Sequence, residues 1–158
     1  MTVVLANLFL AVAVVDDIVY RKFHNFLFIV FTLMATVAVA LYGQISLFDG
    51  LLGFAVGFAL FLPLVLTGVT GAGDMKLMMA VGLLVGPEAT AWIIGYGMFW
   101  GSLMGLFKIL LEKKVMYSLI NLYNTTFSKK NVQASTKIPF TVALLLGWLT
   151  WQRIGGIL

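Results

Sequence analysis

Six residues near the middle of the chain, Gly71-Ala72-Gly73-Asp74-Met75-Lys76, set an acid and a base between two long apolar runs. A charge facing lipid is expensive, so ionisable groups in such a position call for a reason. A second acidic position, Asp16-Asp17, closes an earlier apolar run. Two carboxylates brought to one place suggest an aspartyl dyad. Like charges at close range do not both ionise cheaply, so such a pair shares one proton and titrates as a unit. The ionised member takes a proton from an attacking water, and the protonated member hydrogen-bonds the scissile carbonyl oxygen. Such chemistry requires no metal and no organic cofactor. The plainer alternative is that Asp16, Asp17 and Asp74 are helix caps or topology charges. It is preferred for Asp16. For Asp74, favourable placement at a helix N-terminus explains the acid. It does not explain two flanking glycines, which permit close approach of the backbone, or a lysine two residues on.

The elements that must position these groups are membrane helices. The 158 residues are 62% hydrophobic and 10% charged, with a mean hydropathy of +1.08; soluble domains carry roughly 25% charged residues. The composition points to one all-α, polytopic membrane domain covering residues 1–158. The first apolar run lacks a basic flank and a small-residue cleavage site, so it reads as a retained helix and not as a signal peptide. Cysteine is absent and His24 is the single histidine, which excludes disulfides, thiol catalysis and a multi-histidine metal centre. The net charge of +4 is spread over loops and does not form a nucleic-acid patch.

Six spans are expected, over residues 2–17, 26–41, 47–66, 75–85, 89–111 and 138–154, with a long connection over 112–137. The fourth is too short to cross alone unless Asp74 and Lys76 lie within the membrane zone, since crossing takes about 20 residues. With the first loop placed in the cytoplasm, nine of the ten lysines and arginines fall on that side and only Arg153 falls opposite. By the positive-inside rule both termini lie outside the cytoplasm. The same arrangement brings Asp16, Asp17 and Asp74 to the cytoplasmic face and leaves Asp49 and Glu88 outside.

Glycines recur every four residues at Gly97, Gly101 and Gly105, at Gly53 and Gly57, and at Gly82 and Gly86. Such stripes let helix backbones approach closely. Packing within one chain is the first reading and a homodimer through the stripes the second. Trp92, Trp148 and Trp151 suit interfacial belts, with Trp100 deeper. Residues 115–123 are flanked by lysines and suit a helix lying on the inner leaflet.

Gly71-Ala72-Gly73-Asp74-Met75-Lys76-Leu77 resembles the GxGDxKL signature of type IV prepilin peptidases, membrane aspartyl proteases of the GxGD group. The resemblance extends to Asp17-Ile-Val-Tyr-Arg21-Lys22-Phe23-His24-Asn25, where an aspartate at the end of an early span is followed by basic residues and, eight positions on, an asparagine. Phe23-His24 departs from the usual Ile-Pro. Leu83-Leu84-Val85-Gly86 and Lys137-Ile138-Pro139-Phe140 are similar to later family segments.

The resemblance implies catalysis by Asp17 and Asp74, with Gly71, Gly73 and Lys76 as supporting motif residues. Arg21, Lys22 and Asn25 become candidate substrate contacts, Asn25 after a first reading as a helix cap. Lys76 either lowers the pKa of a nearby carboxylate or snorkels to the interface. His24 is read as an interfacial side chain without a catalytic role.

The implied activity is removal of a short basic leader from a prepilin at the cytoplasmic membrane, with the bilayer and the prepilin as partners. The absence of cysteine resembles the short Flp/Tad-type and preflagellin peptidases, so methyltransferase activity is not expected. Two other classes compete. One is a small transporter or ion relay using the same acids, which would more often show an internal repeat and midplane charges. The other is a non-catalytic subunit of a secretion assembly.

Overall fold

The computed structural model describes residues 2–20, 24–42, 45–111 and 140–155. Arg21, Lys22 and the 112–137 connection, including the surface helix expected at 115–123, lie outside the described residues. Within them the chain forms six α-helices: α1 (Thr2–Tyr20), α2 (Asn25–Tyr42), α3 (Leu47–Leu66), α4 (Ala72–Val85), α5 (Pro87–Leu111) and α6 (Phe140–Gly155). Each expected span corresponds to one helix, with ends displaced by at most three residues.

Helices α1, α2, α3 and α5 are long and apolar enough to cross a membrane. Their outer faces expose Val4, Leu8, Val15, Leu33, Leu51 and Leu106, among other large apolar side chains. Water would penalise that surface, whereas lipid tails would not.

Helix α4 differs. Its 14 residues span about 21 Å, short of the roughly 30 Å hydrocarbon core. It packs against α1, α2, α3 and α5, and Leu77, Met78, Ala80, Val81, Gly82, Leu83 and Leu84 are all buried. A helix apolar on every side belongs in the centre of a bundle.

The chain turns into and out of α4 by backbone geometry. Gly68 takes φ +73° and closes α3 with hydrogen bonds from its own N–H to Val65 O and from Val69 N–H to Leu64 O, a Schellman arrangement. Gly86, at φ +82°, ends α4, and Pro87 opens α5, where its missing N–H costs nothing.

Most glycine stripes are used inside the chain. A Cβ on Gly50 would lie 2.8 Å from Leu83 O, and one on Gly57 would lie 2.9 Å from Met78 O. Gly53 and Gly82 face each other across the same α3–α4 contact. On the α5–α6 side, a Cβ on Gly147 would lie 2.6 Å from Gly97 N. Gly105 instead looks into open space.

Trp148 departs from the expected belt. It is fully buried, stacks on Trp151 with centroids 5.4 Å apart, and donates from Nε1 to Asn7 Oδ1 at 2.6 Å. An indole N–H in an apolar interior needs an acceptor, and Asn7 on α1 supplies it. Trp92 is half exposed, as a belt residue should be.

Candidate active site

Among the described residues, the polar groups of the sequence motifs gather at one end of the bundle. Gly71 precedes α4 in an extended conformation, and its N–H donates to Asp74 Oδ2 at 3.2 Å. Asp74 therefore caps its own helix from the third position, where the helix dipole favours a carboxylate. Asp74 sits ahead of the apolar run Met75–Val85. Burial lifts its carboxyl from the ordinary 3.8 to about 6; the Gly71 N–H works in the opposite direction, and the charge of Asp17 adds to the rise. Asp17 and Asp74 are thus close enough to feel each other, although 57 positions separate them in the chain.

Asp17 belongs to the last turn of α1. Its Oδ2 accepts a hydrogen bond of 2.8 Å from the hydroxyl of Thr141, in the first turn of α6. Together with the Trp148–Asn7 bond, this ties α1 to α6 at two heights. Asn7 pairs with the later residue of α6 and Asp17 with the earlier one, so the two helices run antiparallel.

Asp16 turns elsewhere. It is buried, and its two oxygens lie 3.1 and 3.2 Å from Nδ1 of His24, with the His24 N–H at 3.4 Å. The His24 ring is half exposed and meets Tyr20 edge-on at 5.3 Å. His24 is thus a link across the turn between α1 and α2. Neighbours in sequence, Asp16 and Asp17 serve different contacts because successive helix positions point about 100° apart.

Lys76 donates from Nζ to Asn25 Oδ1 at 2.5 Å, joining α4 to the start of α2. The side chain of Asn25, expected first as a cap, is engaged in this inter-helix bond, and Lys76 has a neutral partner. Arg21 and Lys22 lie outside the described residues. Gly73, half-buried, lies in the first turn of α4. Among the described residues, no three potential metal ligands come together.

The reading of sequence alone missed Thr141 and the Asp16–His24 link. No spacing rule connects residue 141 with residue 17, so the first was hidden until the helices were packed. The second had a faint signal: a histidine eight residues after an acid across a short turn.

Residues 4–110 match the model of the type IV leader peptidase family. The chain belongs to this family. No curated protein and no solved structure matches the chain. As a type IV leader peptidase family member, the protein is an aspartic peptidase of prepilin leader peptides and a multi-pass membrane protein, of a kind typically found in the inner membrane. The matched segment contains Asp16, Asp17, His24, Asn25, Asp74 and Lys76, whereas Thr141 lies beyond it.

Proposed function

We propose that Asp17 and Asp74 are the catalytic pair of this peptidase. The observation that carries the reading is that Asp17, in the last turn of α1, and Asp74, in the first turn of α4, lie near enough for the charge of Asp17 to add to the rise in the Asp74 carboxyl. Burial of Asp74 favours placing the shared proton on it, and Asp17 is the member proposed to receive the proton from water. Water attacks the carbonyl carbon of the leader's last peptide bond and gives a proton to Asp17, while Asp74 hydrogen-bonds the carbonyl oxygen. Collapse of the tetrahedral intermediate breaks the C–N bond. The proton held by Asp17 passes to the departing amine. The products are the leader's new carboxyl end and the pilin's new amino end.

All six helices cross or enter the membrane as a single domain with both termini outside the cytoplasm, which places the pair at the cytoplasmic face. Nine of the ten basic residues then lie inside. A pilin precursor offers a basic leader followed by an apolar helix, so its scissile bond lies at that same face. Arg21, Lys22 and Asn25, four, five and eight positions after Asp17 in the sequence, are the proposed substrate contacts, and Gly71, Gly73 and Lys76 are the supporting residues of the second acid's motif. The substrates are the small pilins of Flp/Tad-type systems. The chain has no cysteine, in keeping with a peptidase that leaves the new amino end unmethylated.

Co-expression with a Flp-type prepilin tests this. Wild type should cleave it, Asp17→Ala and Asp74→Ala should not, and the mature pilin should carry an unmodified amino terminus by mass. Full processing by either variant would sink the pairing. Processing of other prepilins but no Flp-type one would overturn the substrate class.

A further inference from the structure

Helical threonines in this protein have a standard habit. Thr32, Thr36 and Thr150 each donate to the carbonyl four residues back in their own helix, and Thr90 donates to Gly86 O just ahead of its helix. Thr141 does not. It is 2% exposed, and its hydroxyl crosses from α6 to Oδ2 of Asp17 at 2.8 Å.

A buried hydroxyl has one proton to give, and Thr141 gives it to an acid whose charge is felt by a second acid. We propose that Thr141 is the positioning residue of the acid pair: its hydroxyl occupies Oδ2 of Asp17 and reserves Oδ1 for water. This rests on Asp17 and Asp74 being the catalytic pair.

A carboxylate rotates about the bond to its Cβ, with a broad, roughly two-fold preference. Either oxygen could then meet the water unless something chooses. A hydroxyl donor from a neighbouring helix makes the choice, because an oxygen accepting that bond is not the one that carries the proton. The shared proton is thereby confined to Oδ1 of Asp17 or to Asp74. Fixing a reacting group in one orientation is a recognised source of rate. Thr141 touches no reacting atom and acts only through Asp17.

Two substitutions isolate the hydroxyl. Thr141→Ala and Thr141→Ser both remove the methyl, and only the first removes the oxygen. A hydrogen bond to a charged group is lost in Thr141→Ala, so kcat for prepilin cleavage should fall about 10- to 100-fold with KM little changed. Thr141→Ser should recover most of the rate.

The folded fraction of each detergent-extracted variant, read from its thermal unfolding curve, corrects the rates for lost protein. Equal corrected rates for the two variants, or a loss that falls in KM alone, would overturn the proposal. Asp17→Asn runs beside them. If it cleaves at the wild-type rate, the pairing of Asp17 with Asp74 fails. If it is inactive while Thr141→Ala is fully active, only the role of Thr141 fails.

Discussion

Substituting Gly53 by alanine should separate α3 from α4 and disturb catalysis from a distance. A Cβ on Gly53 would lie 2.8 Å from the carbonyl carbons of both Gly82 and Gly86, with Gly82 O nearer still. These are backbone atoms and have no rotamer to change. Ordinary carbon contacts begin near 3.5 Å, so the two helices must part by about 1 Å. Overpacking of this kind costs about 1–3 kcal/mol, while replacing glycine by alanine in a helix returns about 1 kcal/mol. The net effect is a destabilisation of up to about 2 kcal/mol. At about 2–4 °C per kcal/mol, the midpoint in detergent should fall by several degrees.

Helix α4 carries Asp74, and a misplacement of about 1 Å at a reacting group can cost about 100-fold in rate. Gly105→Ala is the matched control, because nothing lies within 4 Å of its Cβ position. It should melt at or above the wild-type temperature and cleave normally. Thermal unfolding of the purified protein and a prepilin cleavage time course provide both readouts. If Gly53→Ala melts with wild type and cleaves at its rate, the close α3–α4 contact does not hold Asp74 in place.

Further outcomes follow from the polar contacts at the same end. Lys76→Met keeps the aliphatic stem and removes the bond to Asn25; it should slow cleavage, and a wild-type rate would show that the α2–α4 link is dispensable. Asp16→Leu leaves His24 without its partner and should lower the melting midpoint by several degrees, while an unchanged midpoint would exclude a structural role for that pair. The pH dependence has a definite sign. Asp74 is raised to about 6 in the folded protein, above its unfolded value. The stability this provides is present in full below about pH 4 and lost as pH rises past 6. Unfolding midpoints measured from pH 4 to 8 should show this fall, and Asp74→Asn should flatten it.

Much of the fold was legible because lipid imposes a simple rule. Apolar runs of about 20 residues become spans, and α3 begins and ends where its run does. The glycine stripe at Gly53 and Gly57 also spoke plainly, since it lies against α4. The tryptophans were harder. Belt and core tryptophans have the same local sequence, and only the packing of α1 on α6 gives Trp148 its acceptor in Asn7. At the site, Asp74 was conspicuous as an acid among apolar residues. Asp16 and Asp17 could not be separated by composition, because their difference is one of direction on a helix. Thr141 was invisible, as a threonine near the start of a helix is ordinary until its partner is known.

The anchoring of the two acids is unequal, and the inequality suits their proposed roles. Asp17 is held from outside its own helix, by Thr141 of α6. Asp74 is held from within, by the N–H of Gly71 at the head of α4. A change in the α1–α6 contact therefore reaches Asp17 first, while a change in the α3–α4 contact carries Asp74 as a rigid passenger of its helix. The neighbouring charged groups are tied off separately: Asp16 to His24 and Lys76 to Asn25. Each of those links crosses between elements around the pair, so they fix the surrounding frame without occupying Oδ1 of Asp17. The site is thus built from helix ends, where backbone dipoles and short side chains can order charges that the apolar centre of the bundle could not accept.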